Sequence, residues 1–77
     1  MLTKTITIRL PEFFDIDYSK EYEEPIVTFK KDNNIYKFEN FISEKSLNKM
    51  SGKWVDIEAK KLLFSNKITI KRVINTY

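Results

Sequence analysis

The chain lacks histidine and cysteine, and it has one glycine and two prolines among its 77 residues. Without histidine or cysteine, it has neither the commonest general base nor the best nucleophile. A disulfide cannot form, and a conventional zinc site has no nitrogen or sulfur ligands. A single glycine cannot build a glycine-rich phosphate-binding loop. These absences argue against an enzyme, and we expect no catalytic residue, no metal and no cofactor.

Long hydrophobic runs are also missing. The longest aliphatic or aromatic run is Leu62-Leu63-Phe64, whereas about 20 apolar residues are needed to span a bilayer. The first ten residues alternate apolar and polar types instead of placing an apolar block behind a basic cluster, so they predict a strand and not a signal peptide. We therefore expect one domain, residues 1–77, in the cytoplasm, or in the host cytoplasm if the source is a virus.

Two stretches alternate with a period of two, at the beginning and at the end of the chain. Residues 2–10 place Leu, Lys, Ile, Ile and Leu at even positions and Thr or Arg at odd ones, which predicts a half-buried strand. Pro11 ends this strand because it has no backbone N–H to donate. Residues 67–74 predict the last strand. If the two strands are neighbours, their threonines and lysines share one polar face without aromatic residues.

A β-hairpin is predicted in the middle of the chain. Residues 26–31 and 35–40 flank an Asp-Asn-Asn turn, whose residue types tolerate the left-handed conformation of a tight turn. A loop at Asp32-Asn33 would pair Phe29 with Tyr36, whereas a loop one residue later would place two lysines opposite each other. We favour the first register because like charges on facing strands destabilise a sheet.

Two short helices are predicted after the hairpin. For the first, at residues 44–51, Ser43 can cap the amino terminus, Ile42 can contact Leu47 as a hydrophobic staple, and Gly52 can end the helix. For the second, at residues 57–65, the support is a capping aspartate and a helical stripe. The residues of this second pattern are Asp56, Val55, Ala59, Leu62 and Leu63. A strand at residues 54–59 remains an open alternative.

Together these elements predict an α+β fold in one small domain, with a mainly antiparallel sheet and helices on one face. The expected strands are at about residues 2–10, 26–31, 35–40 and 67–74, and the helices are at about 44–51 and 57–65. Apolar periodicity predicts a core made of Ile6, Ile8, Phe29, Phe38, Leu63, Ile68 and Ile70. Trp54 is expected in the core or at its rim.

Charge is distributed unevenly along the sequence. Residues 12–24, the acidic segment, carry six carboxylates and four aromatic rings against one lysine, and residues 41–77 carry eight lysines and arginines against three acids. Aromatic rings supply the desolvated centre of many protein interfaces, while charges steer association. We therefore expect the acidic segment to bind a partner. The residues of this surface are Phe13, Phe14, Asp15, Asp17, Tyr18, Glu21, Tyr22, Glu23 and Glu24.

Two other interpretations of the acidic segment stay open. Phe13, Phe14 and Ile16 could plug the open end of the sheet and leave the acids merely solvated. Asp15 and Asp17 could share a magnesium ion with a nearby glutamate, but such sites usually rely on substrate phosphates as well, so we expect no metal here. We read the segment as a structured loop with one helical turn.

The basic half suggests an alternative function, the binding of nucleic acid through phosphate contacts. Its candidate residues are Lys60, Lys61, Lys67, Lys71 and Arg72. Because single-strand binders stack bases on exposed rings, and the basic half is expected to expose none, this interpretation ranks second.

The sequence therefore predicts a small non-enzymatic protein-binding module, monomeric or homodimeric, whose partner is a larger protein or nucleoprotein complex with a basic surface. Twelve lysines against two arginines, with ten isoleucines and six asparagines, are typical of AT-rich codon usage. This bias favours a phage or mobile element of a low-GC bacterium. An inhibitor of a host nucleic-acid-processing or defence complex, such as an anti-CRISPR protein, would fit. The alternatives are a small RNA- or DNA-binding accessory domain and an assembly subunit whose exposed strand edge pairs with another copy.

Overall fold

Residues 3–19, 21 and 23–77 are described by the structure, which is a computed structural model. Leu2 and Tyr22, which the sequence predictions place in the first strand and in the partner-binding surface, lie outside the described residues. The elements are β1 (Thr3–Arg9), β2 (Asp15–Asp17), β3 (Ile26–Lys31), β4 (Asn34–Phe38), α1 (Glu44–Met50), β5 (Trp54–Lys61) and β6 (Lys67–Thr76).

The strands form one sheet in the order β1-β5-β6-β4-β3-β2. Neighbouring strands are antiparallel except β4 and β6, which are parallel. The mainly antiparallel α+β fold is confirmed, although the described residues hold one helix where the sequence predicts two. The first and last strands are not neighbours, because β5 lies between them.

The hairpin of β3 and β4 has the favoured register. Asp32 and Asn33 form its turn with φ angles of 51° and 66°, the left-handed conformation that Asp and Asn tolerate. Phe29 pairs with Tyr36, and their rings stack with centroids 4.8 Å apart. The choice made from like-charge repulsion between lysines is thus confirmed.

Helix α1 also follows the sequence signals. The Ser46 backbone N–H donates to the Ser43 side-chain oxygen at 3.2 Å, so Ser43 is the amino-terminal cap. At the other end, Ser51 N–H donates to the Leu47 carbonyl at 2.8 Å, and Gly52 follows with a φ of 70° that glycine adopts without steric cost. The first helix is therefore confirmed, and its last helical residue is Met50.

The second predicted helix, at residues 57–65, is wrong: most of this stretch belongs to strand β5, as the open alternative proposed for residues 54–59. Val55, Ile57 and Ala59 point to one face at a period of two and are all buried. The helical stripe was misleading because Val55 and Ala59 fit both periods. Pairing with β1 on one side and β6 on the other decides in favour of the strand.

The core lies on one face of the sheet, against Leu47 and Met50 of α1. Of the residues predicted as core, the buried ones are Ile8, Phe29, Phe38, Ile68 and Ile70, and Ile6 is half-buried.

Two core predictions are wrong. Leu63 is 82% exposed because it lies in the loop after β5, and Trp54 is 55% exposed because it lies on the outer face of β5. Helix α1, the one helix in the described part of the chain, lacks the length and apolar character needed to cross a membrane.

Candidate binding surfaces

Part of the acidic segment forms one edge of the sheet. Residues 15–17 are strand β2, which pairs with β3, so the predicted loop with a helical turn is replaced here by a short strand. Ile16 packs against the core, and the alternation of a strand therefore turns Asp15 and Asp17 to the opposite, exposed face. The two carboxylates therefore lie on the same face of the edge strand β2.

The two phenylalanines before β2 have different environments. Phe14 is half-buried and meets the Phe29 ring edge-to-face at 5.6 Å, so it closes the core at this edge. Phe13 is 85% exposed. The plug interpretation is therefore correct for Phe14 and Ile16, whereas Phe13 presents its ring to solvent beside the carboxylates.

Four more described residues of the acidic segment lie near the start of α1 or the residues before it. Tyr18 is 64% exposed, and its hydroxyl donates a hydrogen bond to Glu44 at 2.7 Å, which raises the pKa of Tyr18. Glu21, Glu23 and Glu24 are exposed and line a groove of about 360 Å³ together with Phe41 and Glu39. Phe41, 48% exposed, is an additional aromatic residue that the sequence reasoning missed. It precedes the helix cap, so no periodicity pointed to it.

The five residues of the predicted basic cluster have different neighbours in the structure. Lys71 forms an ion pair with Glu39 at 2.8 Å, and Arg72 forms one with Glu58 at 3.0 Å. These pairs neutralise both cations locally, and the hydrogen bond from Lys71 lowers the pKa of Glu39. Lys61 lies on the core side of β5, because strand alternation places it with Ala59.

Lys60 and Lys67 come together with Lys37, which the sequence analysis did not select. The three lysines line one groove of about 490 Å³ on the outer face of the sheet, beside Thr28 and Thr69. Strand pairing brings Lys37 and Lys60 close to β6, because each lies opposite Thr69 of that strand. Lys37 was not selected from the sequence because the parallel pairing of β4 with β6 was not predicted.

The outer face of the sheet carries an exposed ring, contrary to expectation. Trp54 in β5 pairs with Arg9 in β1, and both side chains point away from the core. The sequence reasoning missed this ring because it treated the first and last strands as neighbours. It did not place β5, which carries Trp54, between them.

A hydrogen-bonded cluster around Asp56 ties the end of β6 to β5 and β1. The Asp56 carboxylate accepts hydrogen bonds from the hydroxyl of Thr7 at 2.6 Å, from the hydroxyl of Tyr77 and from the amide of Asn75. These hydrogen bonds stabilise the carboxylate and lower the pKa of Asp56, and the bond from Thr7 has the largest effect. We interpret this cluster as structural, because it holds three neighbouring strands in register.

Acid is expected to weaken the fold partly through Asp56. Because the pKa of Asp56 is lower in the folded chain, the folded state binds fewer protons, so this stabilisation is present above about pH 4 and is lost as the pH falls further. The variant Asp56→Asn should therefore lose less stability than the wild type between about pH 6 and pH 3. Urea unfolding at each pH measures this loss, and equal acid dependence in both proteins would contradict it.

The loop between β5 and β6 exposes three consecutive apolar side chains, which we call the apolar tip. Leu62, Leu63 and Phe64 are 57%, 82% and 98% exposed. Phe64 has a φ of 63°, a left-handed conformation that is costly for a bulky residue, and a hydrogen bond from Ser65 N–H to the Leu62 carbonyl closes the turn. The sequence reasoning missed this surface because it assigned Leu62 and Leu63 to the second helix.

Replacing Phe64 by glycine is expected to raise the free energy of unfolding by about 1 kcal/mol, because glycine removes the left-handed strain and little buried area is lost. Leu63→Gly is the matched control, and it should lower stability by about 0.5–1 kcal/mol. Urea unfolding compares the two. Destabilisation of similar size in both variants would show that the Phe64 backbone is not strained.

No group of three or more Asp, Glu, His or Cys side chains among the described residues is arranged to hold a metal ion. No protein-family model, curated protein or solved structure is significantly similar to the chain.

Proposed function

We propose that the protein is a non-enzymatic binding module that attaches its acidic segment to a basic surface of a larger protein or nucleoprotein complex. The observation that carries this proposal is the position of Phe13, whose ring is 85% exposed next to the outward-facing Asp15 and Asp17 of an edge strand. An exposed ring gives a partner an apolar anchor, and carboxylates around it favour a partner with lysines and arginines.

The edge position adds a second mode of attachment. Strand β2 is the last strand of the sheet, so the outer side of its backbone can pair with a strand of a partner. A short strand of three residues gives few such hydrogen bonds. Affinity therefore depends mainly on the rings and charges of the acidic segment, with Tyr18 held against Glu44 at one end and Phe13 at the other.

Composition, together with this surface, is the support for the biological class that we propose. An amino-acid composition typical of AT-rich codon usage and a small domain suit an accessory protein of a phage or mobile element, and an acidic surface can occupy a groove that otherwise holds nucleic-acid phosphates. Inhibition of a host nucleic-acid-processing or defence complex, as anti-CRISPR proteins do, is the form of this function that we propose.

Capture of partners from a host lysate on the immobilised protein tests the proposal. Phe13→Ser should lose the captured partner, because serine removes the apolar anchor while the carboxylates remain. Leu63→Ser is the matched control, since Leu63 is equally exposed but lies on the apolar tip. Loss of the partner with Leu63→Ser and retention with Phe13→Ser would contradict the proposal.

The binding of single-stranded nucleic acid is a second candidate, favoured by the groove that Lys37, Lys60 and Lys67 line on the outer face of the sheet. Trp54 supplies an exposed ring on the same face. A fluorescent single-stranded oligonucleotide should then bind with an affinity that falls steeply with salt. The triple variant Lys37→Gln, Lys60→Gln, Lys67→Gln should lower both the affinity and its dependence on salt.

A further inference from the structure

We propose that the apolar tip and its adjoining groove bind the acidic segment of a second copy of this chain. The groove has a volume of about 420 Å³ and opens on the core side of the sheet, at the end where β5 leaves it. Ile6, Ala59 and Ile68 form its floor, and Leu63 and Phe64 of the tip form one wall. The floor is continuous with the hydrophobic core.

The rim of the groove is basic. Lys4 from β1 and Lys61 from β5, which lie on the core side of their strands, line it, and no carboxylate is among its lining residues in the described part of the chain. A ligand that fits this groove therefore has an apolar group that contacts the floor, flanked by negative charges that contact the lysines of the rim. Such a ligand neutralises the lysines while it covers apolar surface that water contacts at present.

The acidic segment of the same protein has this combination. Phe13 is an exposed ring, and it lies between Glu12 and Asp15, which are both exposed. Within one copy the ring is 85% exposed and is not among the residues that line the groove. The contact therefore joins two copies, and it joins unlike surfaces, because the tip belongs to the β5–β6 loop and the acidic segment to the β2 edge.

Phe64 gives independent support for a binding role of the tip. Its side chain is 98% exposed in a turn position where glycine would be less strained. Neither burial nor backbone preference accounts for phenylalanine at this position. Backbone strain of this kind is concentrated at ligand-binding sites.

Sedimentation velocity of the purified chain across a wide concentration range tests the proposal. The wild type should associate as concentration rises, and salt should weaken the association because charges line both surfaces. The first variant, Phe13→Ser with Asp15→Lys, removes the acidic surface. The second, Leu63→Ser with Lys61→Glu, removes the tip. Each variant alone should stay monomeric, with self-affinity reduced at least about a hundredfold.

A mixture of the two variants is the decisive sample. The first variant retains an intact tip and the second an intact acidic segment, so an equimolar mixture should form a one-to-one complex. Ile74→Ser, at an exposed position outside both surfaces, should associate like the wild type. A wild type that stays monomeric, a variant that still self-associates or a mixture that fails to associate would overturn the proposal. Binding of a monomeric wild type to phosphatidylserine vesicles would overturn it in favour of a lipid ligand.

This assembly uses the acidic segment that the proposed function also uses, so partner and second copy compete for it. The two proposals nevertheless fail separately. Sedimentation needs only the purified chain, whereas capture needs a host lysate. Capture is therefore measured with the second variant as well, because it stays monomeric and leaves its acidic segment free. A self-associating chain whose second variant captures no partner contradicts the proposed function alone, and a monomeric chain that captures one contradicts the assembly alone.

Discussion

Replacing Phe38 by alanine is expected to lower the free energy of unfolding by about 3–5 kcal/mol, a large share of the stability of a small domain. Phe38 is 6% exposed on β4, and its ring lies 6.2 Å from that of Phe29 and 6.3 Å from that of Phe14. Removing it leaves a cavity between the hairpin and the segment that closes the core at the β2 edge. The aromatic cluster cannot collapse into this cavity without moving β2.

Urea unfolding followed by tryptophan fluorescence and by circular dichroism measures this loss. Phe13→Ala is the matched control, because Phe13 is 85% exposed and its truncation should change stability by less than about 0.5 kcal/mol. Equal stability of the Phe38 variant and the wild type would show that the packing face of β4 is assigned wrongly.

Reversing three charges of the acidic segment is expected to abolish partner binding. The triple variant Asp15→Lys, Asp17→Lys, Glu21→Lys places lysines against a basic partner. Stranded charges at an interface cost about 2–5 kcal/mol, which corresponds to a loss of affinity between about 30-fold and several thousand-fold. The fold should remain, because all three side chains are exposed and Asp15 and Asp17 face away from the core.

Circular dichroism and the melting temperature of the triple variant provide the necessary control. Both should match the wild type within the small change that surface substitutions cause. If the variant unfolds, Asp15→Asn with Asp17→Asn removes the charge with little change in shape, and it should still weaken binding. Unchanged affinity in a folded triple variant would contradict the role of the acidic segment.

Local signals were sufficient where neighbouring residues decide the structure. The turn at Asp32 and Asn33, the Ser43 cap and the strand before Pro11 each depend on residues close in sequence, and all three are confirmed. The first predicted strand includes Leu2, which lies outside the described residues.

Tertiary pairing decided what local signals could not. The pattern of residues 57–65 fits a helical stripe. As part of strand β5, however, most of these residues lie between β1 and β6, where their backbone groups can form hydrogen bonds on both sides. Once β5 is a strand, the chain must turn after Lys61, and Leu62, Leu63 and Phe64 are left at the turn. The exposed apolar tip is thus a consequence of long-range strand order.

The candidate surface was predicted only in part for the same reason. Composition correctly predicted an exposed ring among the acids of residues 12–24, but it could not decide which ring. Phe13 and Phe14 are adjacent and precede β2, and the fold exposes the first ring and packs the second against Phe29. Lys37 was missed because its groove forms across β4, β6 and β5, strands that are distant in sequence.

Calorimetric titration of the captured partner with two folded variants side by side tests the proposed function most directly. The acidic variant is Asp15→Lys, Asp17→Lys, Glu21→Lys, and the basic variant is Lys37→Gln, Lys60→Gln, Lys67→Gln. We expect the acidic variant to show no measurable binding and the basic variant to bind within about threefold of the wild type. Loss of binding in the basic variant with full affinity in the acidic variant would contradict the acidic-segment interface and place binding on the outer face of the sheet.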